Sequence, residues 1–436
     1  MRICGSPRTP KKSPRIRLKW FQKSLSPTPG VNPKGAPERA ALTVLMASWA
    51  LLAFLTSSGA CFAATTGGTI SFAALTIPKG FPSLCIIDFE TCRLRKYMKR
   101  ILIFQTAFIG DLVLVSSLIK SVAKTYSEAE VFLVCKKGYE AIYEGFQYLK
   151  GVIPYDKKGI RGFASKLKSI KFDAVFSPHR SHRTATLLFL SGIPLRVGFD
   201  TAGFSFLYTR RVKYKRNVHE VERNIQLLLA VNKAARVDLQ PELFVSKDEV
   251  GKVREKFSLE FPFAVIAPGS VWSTKRWLPE YFASVGKYLI EERGLVPVIV
   301  GSAADIPVAE KVFRQIPFAV NTAGKTNLRE LMALIAGSSV VITNDSSPTH
   351  FASAFKKPVV TMFGPTVKEF GFYPLGEKAK VAEIPLYCRP CGIHGGKRCR
   401  EGHFKCMRDL TPEKVFPLID EVLKDGDFAE KRGVGS

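Results

Sequence analysis

The sequence predicts an α/β fold made of two doubly wound halves that face a cleft. Short apolar, β-prone runs alternate with helical patterns in the first series of elements, and after a pause at Lys247–Pro262 a second series of the same kind begins. This alternation is typical of parallel sheets covered by helices on both faces. Ligands of such folds bind beyond the carboxyl ends of the strands, so functional residues are expected just after strands.

The first half is expected to open with a strand at Ile101–Phe104, followed by a loop and a helical stretch to Tyr126. Two helices are then expected between the strands Val131–Val134 and Asp173–Phe176, and apolar residues recur at helical spacing over Asn217–Asn232. A charged helix is expected within Lys247–Pro262. In the second half, strands are predicted at Ala264–Ala267, Val296–Val300, Val340–Thr343 and Val359–Phe363, and helices near Pro279, Asp305, Asn327 (a capping box with Glu330) and Ser347.

The chain is predicted to have three regions: 1–97, an N-terminal half at 98–260 and a C-terminal half at 261–436. Residues 1–39 are rich in Pro, Ser, Lys and Arg without apolar periodicity, which is typical of disorder. The uncharged run 40–56 is at the short limit for a membrane span and resembles a signal-peptide core. Met98 offers a second start directly before the first strand. Residues 1–97 are therefore expected to be a non-native or dispensable extension, with a true membrane anchor as the alternative.

The composition is that of a globular protein with an unusually basic charge. Hydrophobic residues make up 46% and charged residues 23%, and the net charge is +28. Residues 1–97 carry 14 Lys/Arg and 3 Asp/Glu, so 51 and 34 remain after them and the main body keeps a net charge of +17. Such a balance favours anionic partners, namely nucleic acid, phosphorylated lipid or a nucleotide, and does not choose among them.

Gly110 and Asp111 follow the first strand and open the first helix. Glycine permits close approach of the backbone to a ligand, and a carboxylate in a cleft can act as a general base toward a sugar hydroxyl. A simple helix cap is the alternative for Asp111.

The loop after the first strand of the second half has the composition of a diphosphate site. It contains Pro268, Gly269, Ser270, Thr274, Lys275, Arg276 and Trp277, and a helix is expected to begin at Pro279. Hydroxyls, cations and a helix N-terminus all suit phosphate groups. A solvated basic loop is the alternative.

Two further loops of the second half carry candidate donor-binding residues. Gly301 and Asp305 follow the next strand, where an acidic residue can hold ribose hydroxyls or simply cap a turn. Asp345, Ser346 and His350 follow the strand at Val340–Thr343 and form a candidate far wall of a nucleotide site, or again a cap.

Four of the nine cysteines cluster near the C-terminus, at Cys388, Cys391, Cys399 and Cys406, with His394 and His403 nearby. The spacing resembles a structural zinc or iron–sulfur site, although the second pair is wider than in a zinc ribbon. A disulfide pair or four unconnected thiols are the alternatives.

Residues 98–425 resemble glycosyltransferase family nine, in the branch that transfers heptose. The matching pieces are the run from Met98 to Asp111, the loop from Pro268-Gly269 to Lys275-x-Trp277, Asn344-Asp345-Ser346 with His350, Phe363-Gly364-Pro365-Thr366, His219-x-x-Glu222-Arg223-Asn224, and the cysteine cluster. One departure is Ser347-Pro348, where the family usually has Gly-Leu, so a phosphate contact that relies on that glycine is not expected here.

The resemblance implies a GT-B fold and transfer of heptose, with inversion, from ADP-heptose to the inner core of lipopolysaccharide. It implies that Asp111 is the base, that Lys275 balances charge on the leaving ADP, that Asp345, Ser346 and His350 position the donor, that Asp305 holds ribose and that Thr326 and Leu328 border the adenine. It further implies that no tightly bound metal is required, because a lysine can take the place of the cation.

An anionic lipid acceptor accounts for the basic charge without nucleic acid. Arg180 and Arg183 follow a strand, and they are predicted, with Arg196 and Arg223, to bind the acceptor. The protein is expected in the cytoplasm, held peripherally on the inner face of the inner membrane. The rival hypotheses are another nucleotide-sugar transferase of the same fold, a basic cysteine-cluster protein that binds nucleic acid, and a non-catalytic lipopolysaccharide-assembly protein.

Overall fold

The computed structural model describes residues 98–424, which belong to one compact unit. The predictions for residues 1–97, including the apolar run 40–56, lie outside the described residues. Within residues 98–424, no helix combines the length and the apolar character that crossing a membrane requires.

Two six-stranded sheets, each with all strands parallel, form the frame of the described chain. The first has the order β3-β2-β1-β4-β5-β6 and the second the order β12-β11-β10-β7-β8-β9, so the two share one topology. In each sheet the strand order switches direction between two central strands, β1 and β4 in the first sheet and β7 and β10 in the second. Doubly wound folds bind ligands at such a switch point. The strands are β1 (Arg100–Phe104), β2 (Glu130–Lys136), β3 (Gly151–Tyr155), β4 (Ala174–Ser177), β5 (Leu195–Phe199), β6 (Arg210–Val212), β7 (Phe263–Ala267), β8 (Val296–Ile299), β9 (Val320–Asn321), β10 (Val340–Asn344), β11 (Val359–Met362) and β12 (Ala379–Ala382).

Helices cover both faces of the two sheets. They are α1 (Ile109–Leu114), α2 (Ser116–Thr125), α3 (Ile160–Ile170), α4 (His182–Leu190), α5 (Glu220–Leu229), α6 (Lys247–Lys256), α7 (Pro279–Arg293), α8 (Ile306–Phe313), α9 (Leu328–Gly337), α10 (Ser347–Ala354), α11 (Lys405–Arg408) and α12 (Pro412–Val422). Short 3₁₀ turns lie at Glu140–Tyr143, Ser205–Leu207, Ser273–Lys275, Ala303–Asp305 and Lys368–Phe370.

The central elements agree with the prediction and the outer ones do not. The predicted strands of both halves and the helices that begin near residues 279, 305, 327 and 347 are confirmed, and Asn327 and Glu330 form the expected capping box. One of the two helices predicted between β2 and β4 is wrong, because a 3₁₀ turn at Glu140–Tyr143 and strand β3 occupy its place. Strands β3, β5, β6, β9 and β12 were not predicted, and four of them lie at sheet edges.

The two halves pack directly on each other. A Cβ on residue 110 would lie 2.7 Å from the ring of His350, so α1 of the first half and α10 of the second half meet at Gly110. Helix α6 joins the second half through the ion pair of Glu249 with Arg329, at 2.7 Å. The proposed boundary at residue 260 itself stays a prediction.

Candidate active site

Asp111 lies at the third position of α1, directly beyond the carboxyl end of β1. Its Oδ2 accepts a hydrogen bond from the backbone N–H of Phe108 at 3.2 Å, so it does cap the helix. Burial, followed by the negative charge of nearby Glu220, raises the pKa of Asp111 to about 7, and Arg180 opposes this shift. A carboxylate with a pKa close to neutral is well suited to accept a proton, so the capping contact is compatible with the base role, which stays a prediction.

Glu220 is a residue of this neighbourhood that the sequence reasoning missed. It is buried at the first turn of α5 and its Oε2 accepts a hydrogen bond from Nε of Arg223 at 2.7 Å. Burial raises its pKa, although Arg223 opposes the shift. The side chain stands 109 positions from Asp111 in sequence, and nothing in its charged run (Glu220, Glu222, Arg223) marked it out.

His350, from the second half of the fold, packs against Gly110, the residue before Asp111. The imidazole of His350 leaves no room for a side chain at position 110. A Cβ there would lie 2.7 Å from Cδ2 and 3.2 Å from Nε2 of His350. Burial lowers the pKa of His350 to about 4, so the ring is neutral at pH 7. Among the described residues, its buried Nδ1 has no hydrogen-bond partner.

Lys275 and Asp345 form a close ion pair on the second half. Nζ of Lys275 lies 2.6 Å from Oδ2 of Asp345, and the two side chains are 12% and 8% exposed. The hydroxyl of Thr366 donates to the same oxygen at 2.6 Å. The lysine comes from the loop after β7 and the aspartate from the loop after β10, so the pair lies at the point where the second sheet reverses direction.

Asn344 holds these two loops together. Its Nδ2 donates to the carbonyl of Pro268 at 2.8 Å, and its Oδ1 accepts from the N–H of Trp277 at 2.9 Å. This buried amide therefore fixes both ends of the Lys275 loop. Asn344 belongs to the Asn344-Asp345-Ser346 motif, but the sequence predicts no role for it.

The remaining predicted donor-binding residues follow strands of the same sheet. Gly269 lies against Asp305, because a Cβ there would meet the Asp305 carboxyl at 2.4 Å. Oδ2 of Asp305 accepts from the hydroxyl of Ser302 at 2.6 Å and caps the turn, which is the alternative reading of that residue. Ser270 and Gly301 are buried or half-buried, Thr326 and Leu328 border the start of α9, and Ser346 precedes α10. Their donor contacts stay predictions.

Trp277 and Thr274 contradict the donor-binding prediction. Trp277 is 1% exposed and its Nε1 donates to the carbonyl of Leu410 at 2.8 Å, so its ring belongs to the core. The hydroxyl of Thr274 donates to the carbonyl of Gly396 at 2.9 Å and accepts from the N–H of the same residue at 2.7 Å. Both side chains position the loop, because neither presents a free polar group to a ligand.

Arg223, one of the four arginines predicted to bind the acceptor, serves the fold instead, whereas Arg183 and Arg196 are half-exposed and their acceptor contacts stay predictions. Arg223 is 1% exposed and its guanidinium bonds Glu220 and the carbonyls of Arg216, Val218 and Phe370. Nε of Arg196 donates to the carbonyl of Leu207 at 3.0 Å, and Arg183 bonds Tyr155 and the carbonyl of Lys157. Arg180 differs, since its guanidinium lies 4.1 Å over the ring of Tyr214, close enough to Asp111 to affect its pKa.

The segment 388–406, here called the cysteine segment, packs on the Lys275 loop through Gly396 and Thr274. All four thiols are free, and the Sγ of Cys391 donates to the carbonyl of Cys388 at 3.3 Å. Within residues 98–424, no three potential ligands meet around a point that could hold a metal, and the zinc or iron–sulfur site stays a prediction. Burial, followed by the charges of the neighbouring Cys391 and Cys399 thiols, raises the pKa of the Cys406 thiol to about 11.

His394 of this segment lies between rings of the two halves. Its ring stacks on Trp272 with centroids 6.4 Å apart and an interplanar angle of 12°. Its centroid is also 6.2 Å from that of Phe108, in the loop that leads to Asp111. Rings from the first half, the Lys275 loop and the cysteine segment thus lie beside one another.

Comparison with known proteins places this geometry in a family. Residues 160–403 match glycosyltransferase family 9 (heptosyltransferase). The chain is 26% identical over 349 residues to lipopolysaccharide heptosyltransferase 2 of Escherichia coli strain K12, which covers 74% of this chain and 98% of the relative. The protein of the same name from Salmonella typhimurium is 26% identical over 351 residues, covering 75% and 99%.

Solved structures agree with the sequence relatives. The structure of E. coli ADP-heptose lipopolysaccharide heptosyltransferase II superposes with a TM-score of 0.63 at 25% identity, covering 75% of this chain and 98% of that one. A family 9 glycosyl transferase from Veillonella parvula has a TM-score of 0.64 at 22% identity, with coverage of 75% and 98%, and bears on the fold alone. These likenesses confirm the expected GT-B fold. With more than half of the chain matched by the family, this protein belongs to glycosyltransferase family 9, the heptosyltransferases, and is a glycosyl-transferring enzyme.

Proposed function

We propose that this enzyme transfers heptose from ADP-L-glycero-D-manno-heptose to a heptose of the lipopolysaccharide inner core. The names of the relatives supply the two substrates. The observation that carries the proposal is that two unlike groups lie near His350, whose ring packs against Gly110 and whose pKa is affected by the charges of Asp345 and Lys275. A carboxylate with a pKa of about 7 comes from the first half, and a buried lysine–aspartate pair comes from the second.

In the proposed reaction, a hydroxyl oxygen of the acceptor heptose attacks the anomeric carbon of the donor. Asp111 accepts the proton of that hydroxyl as the new bond forms. The bond between the anomeric carbon and the β-phosphate oxygen breaks on the opposite face, so the configuration inverts and ADP departs. A positioned base of this kind contributes roughly 10²–10⁴-fold to the rate.

Lys275 is proposed to meet the charge that develops on the departing diphosphate. Its ammonium is held by Asp345, which Thr366 in turn orients, so the cation is fixed before the donor binds. A preorganised charge costs no reorganisation during the reaction and is worth about 3–4 kcal/mol in comparable sites. The proposed donor contacts are Gly110, Pro268, Gly269, Ser270, Gly301, Asp305, Thr326, Leu328, Asp345, Ser346 and His350.

Arg180 is the arginine that we propose for the acceptor, because its guanidinium rests on Tyr214 rather than on backbone carbonyls. The acceptor is a lipid, so the enzyme is proposed to work in the cytoplasm, in peripheral contact with the inner face of the inner membrane. ADP-sugar is available on that side. We propose no nucleic-acid partner.

The decisive experiment is mass spectrometry of a truncated core acceptor incubated with ADP-heptose and the enzyme. A mass gain of one heptose on the acceptor, with release of ADP, is expected. Turnover of a different nucleotide sugar would instead favour another transferase of this fold. Salt-sensitive binding to arbitrary DNA without ADP release would favour the nucleic-acid hypothesis.

A further inference from the structure

We propose that the free edge of the first sheet docks on an anionic membrane surface through a patch of aromatic and cationic side chains, here called the edge patch. It consists of Phe189 and Leu190 at the end of α4 and of residues 204–217. This inference deepens the peripheral contact assumed in the proposed function and names the surface that makes it. Its supports are the exposure, the contacts and the charge of these residues.

The apolar part of the edge patch is exposed and contiguous. Phe204 and Phe206 are 52% and 71% exposed, and their ring centroids are 5.8 Å apart. Phe189 and Leu190 are each 45% exposed. A contiguous group of exposed apolar side chains indicates an interaction surface, whereas an isolated exposed apolar side chain does not.

Arg196 joins the two apolar segments. Its guanidinium lies 5.6 Å over the ring of Phe189, and its Nε donates to the carbonyl of Leu207 at 3.0 Å, in the turn that carries Phe206. Phe204 has a φ of +57°, a left-handed conformation that aromatic residues rarely adopt. The turn at Ser205–Leu207 follows directly, so the backbone is held in a shape that leaves both rings outside the core.

The cationic part follows immediately in sequence. Residues 204–217 contain five Lys/Arg and no Asp/Glu, and all five cations are exposed. They are Arg210, Arg211, Lys213, Lys215 and Arg216. Among the ion pairs within residues 98–424 none involves these five side chains, although many other cations of the protein have acidic partners.

A bilayer with anionic headgroups is the occupant that fits this combination. Aromatic rings suit the boundary between headgroups and acyl chains, and a cluster of basic residues beside them is attracted by negative lipid headgroups. An apolar protein partner would leave the five cations without counter-charges, and nucleic acid would leave the phenylalanines exposed to water.

The edge patch also leads to the active site. β6 is the edge strand of the first sheet, and the cations continue from it to Tyr214, whose ring supports Arg180 beside Asp111. On the other side, the carbonyl of Arg180 accepts a hydrogen bond from the N–H of Gly203 at 3.0 Å, next to Phe204. A lipid held at the patch therefore lies beside the loop proposed to bind the acceptor.

The test is co-sedimentation of the full chain with phosphatidylcholine vesicles, with and without phosphatidylglycerol. We expect stronger binding when phosphatidylglycerol is present and release at high salt. The double variants Phe204→Ser/Phe206→Ser and Arg210→Ser/Arg211→Ser should each weaken binding roughly tenfold or more. Matched controls on the second half are Phe318→Ser, which replaces a ring that is 85% exposed, and Lys287→Ser/Lys311→Ser. Patch variants that bind like the controls would overturn the proposal.

A second measurement locates the contact whatever other segment also binds lipid. Tryptophan is introduced by Phe206→Trp, or by Phe318→Trp as the control, and quenched by brominated phosphatidylcholine in the phosphatidylglycerol vesicles. Quenching of the added fluorescence at position 206 but not at 318 would support docking by the edge patch. Equal quenching at both positions would refute it. A tryptophan at position 206 whose emission shows that it is buried in the protein without vesicles would also refute it.

The outcome is distinguishable from failure of the proposed function. Vesicle binding needs neither donor nor acceptor, so a protein that binds through the patch but transfers no heptose would refute the function and leave the surface standing. The patch variants should retain transfer to a soluble truncated acceptor at about the rate of the unmodified enzyme, since none of these side chains contacts the proposed reacting groups.

Discussion

Two carboxylates of the candidate site come from opposite halves of the molecule, and their surroundings differ. Asp345 has Lys275 and Thr366 at 2.6 Å each, so its charge is matched on the spot. Asp111 has one backbone N–H at 3.2 Å and lies near the negative charge of Glu220, and its pKa rises to about 7. The first half therefore presents a group that can take up a proton, and the second half a fixed pair that can hold a charged ligand.

Asp111→Asn is the change with the largest expected effect. It removes the proton acceptor but keeps an oxygen for the N–H of Phe108, so turnover should fall roughly 10²–10⁴-fold while affinity for ADP stays the same. Transfer assays and calorimetry measure the two quantities. The melting temperature should be unchanged or higher at neutral pH, since the folded protein no longer has to bury a charge there.

Glu249→Gln is the control for capping, and it also removes the ion pair with Arg329. Glu249 is also the third residue of its helix and caps Ser246, but it lies on α6, outside the proposed reaction centre. We expect it to cost stability and leave turnover intact. If Asp111→Asn instead unfolds the protein, or turns over normally, its role is that of a cap alone.

Lys275→Ala should have the next largest effect. It removes the charge proposed to face the diphosphate and leaves Asp345 buried without its cation, so donor affinity and turnover should both fall. The activation free energy of transfer should rise by about 3–4 kcal/mol. Lys275→Arg should restore only part of the activity, because a planar fork places its charge differently from an ammonium. Steady-state kinetics with unchanged kcat and KM in the alanine variant would move the diphosphate site to another cation, with Arg276 the next candidate.

The pH dependence sharpens the contrast between the two carboxylates. Because the pKa of Asp111 is raised to about 7, its base form is lost as the pH falls below that value, and kcat/KM should decline about tenfold per pH unit there. The decline should be absent from the residual activity of Asp111→Asn. A profile that stays flat down to pH 5 would show that the reacting enzyme does not depend on this group.

Trp277→Phe should have the smallest effect on catalysis. The indole is buried and bonds the carbonyl of Leu410, so its replacement should lower the free energy of unfolding by about 1–3 kcal/mol. The KM for the donor should remain within about twofold of the original value if the residue only supports the Lys275 loop. Chemical denaturation and donor titration measure these, and a large rise in KM with normal stability would restore the donor-binding role.

Prediction from the sequence succeeded for the central strands and the loops after them. Strands such as β1, β7 and β10 are buried on both faces, and a parallel strand in that position is a continuous apolar run that can be recognised from sequence. It failed at the edges. β3 contains Pro154 and β9 has two residues. An edge strand pairs with a neighbour on one side only, so it is often short and lacks the continuous apolar run of a central strand.

The sequence by itself determined the alternation of strands and helices, the capping box at Asn327, the helix start that carries Asp111 and the loops that carry Lys275 and Asp345, because these signals are confined to a few neighbouring residues. Only the tertiary structure decided what surrounds those side chains. The pKa of Asp111 depends on its burial and on Glu220, Thr274 is hydrogen-bonded to Gly396 of the cysteine segment, and Arg223 and Trp277 are buried supports. Such partners are far apart in the chain, and both charge interaction and burial depend on distances in space that local sequence patterns do not contain.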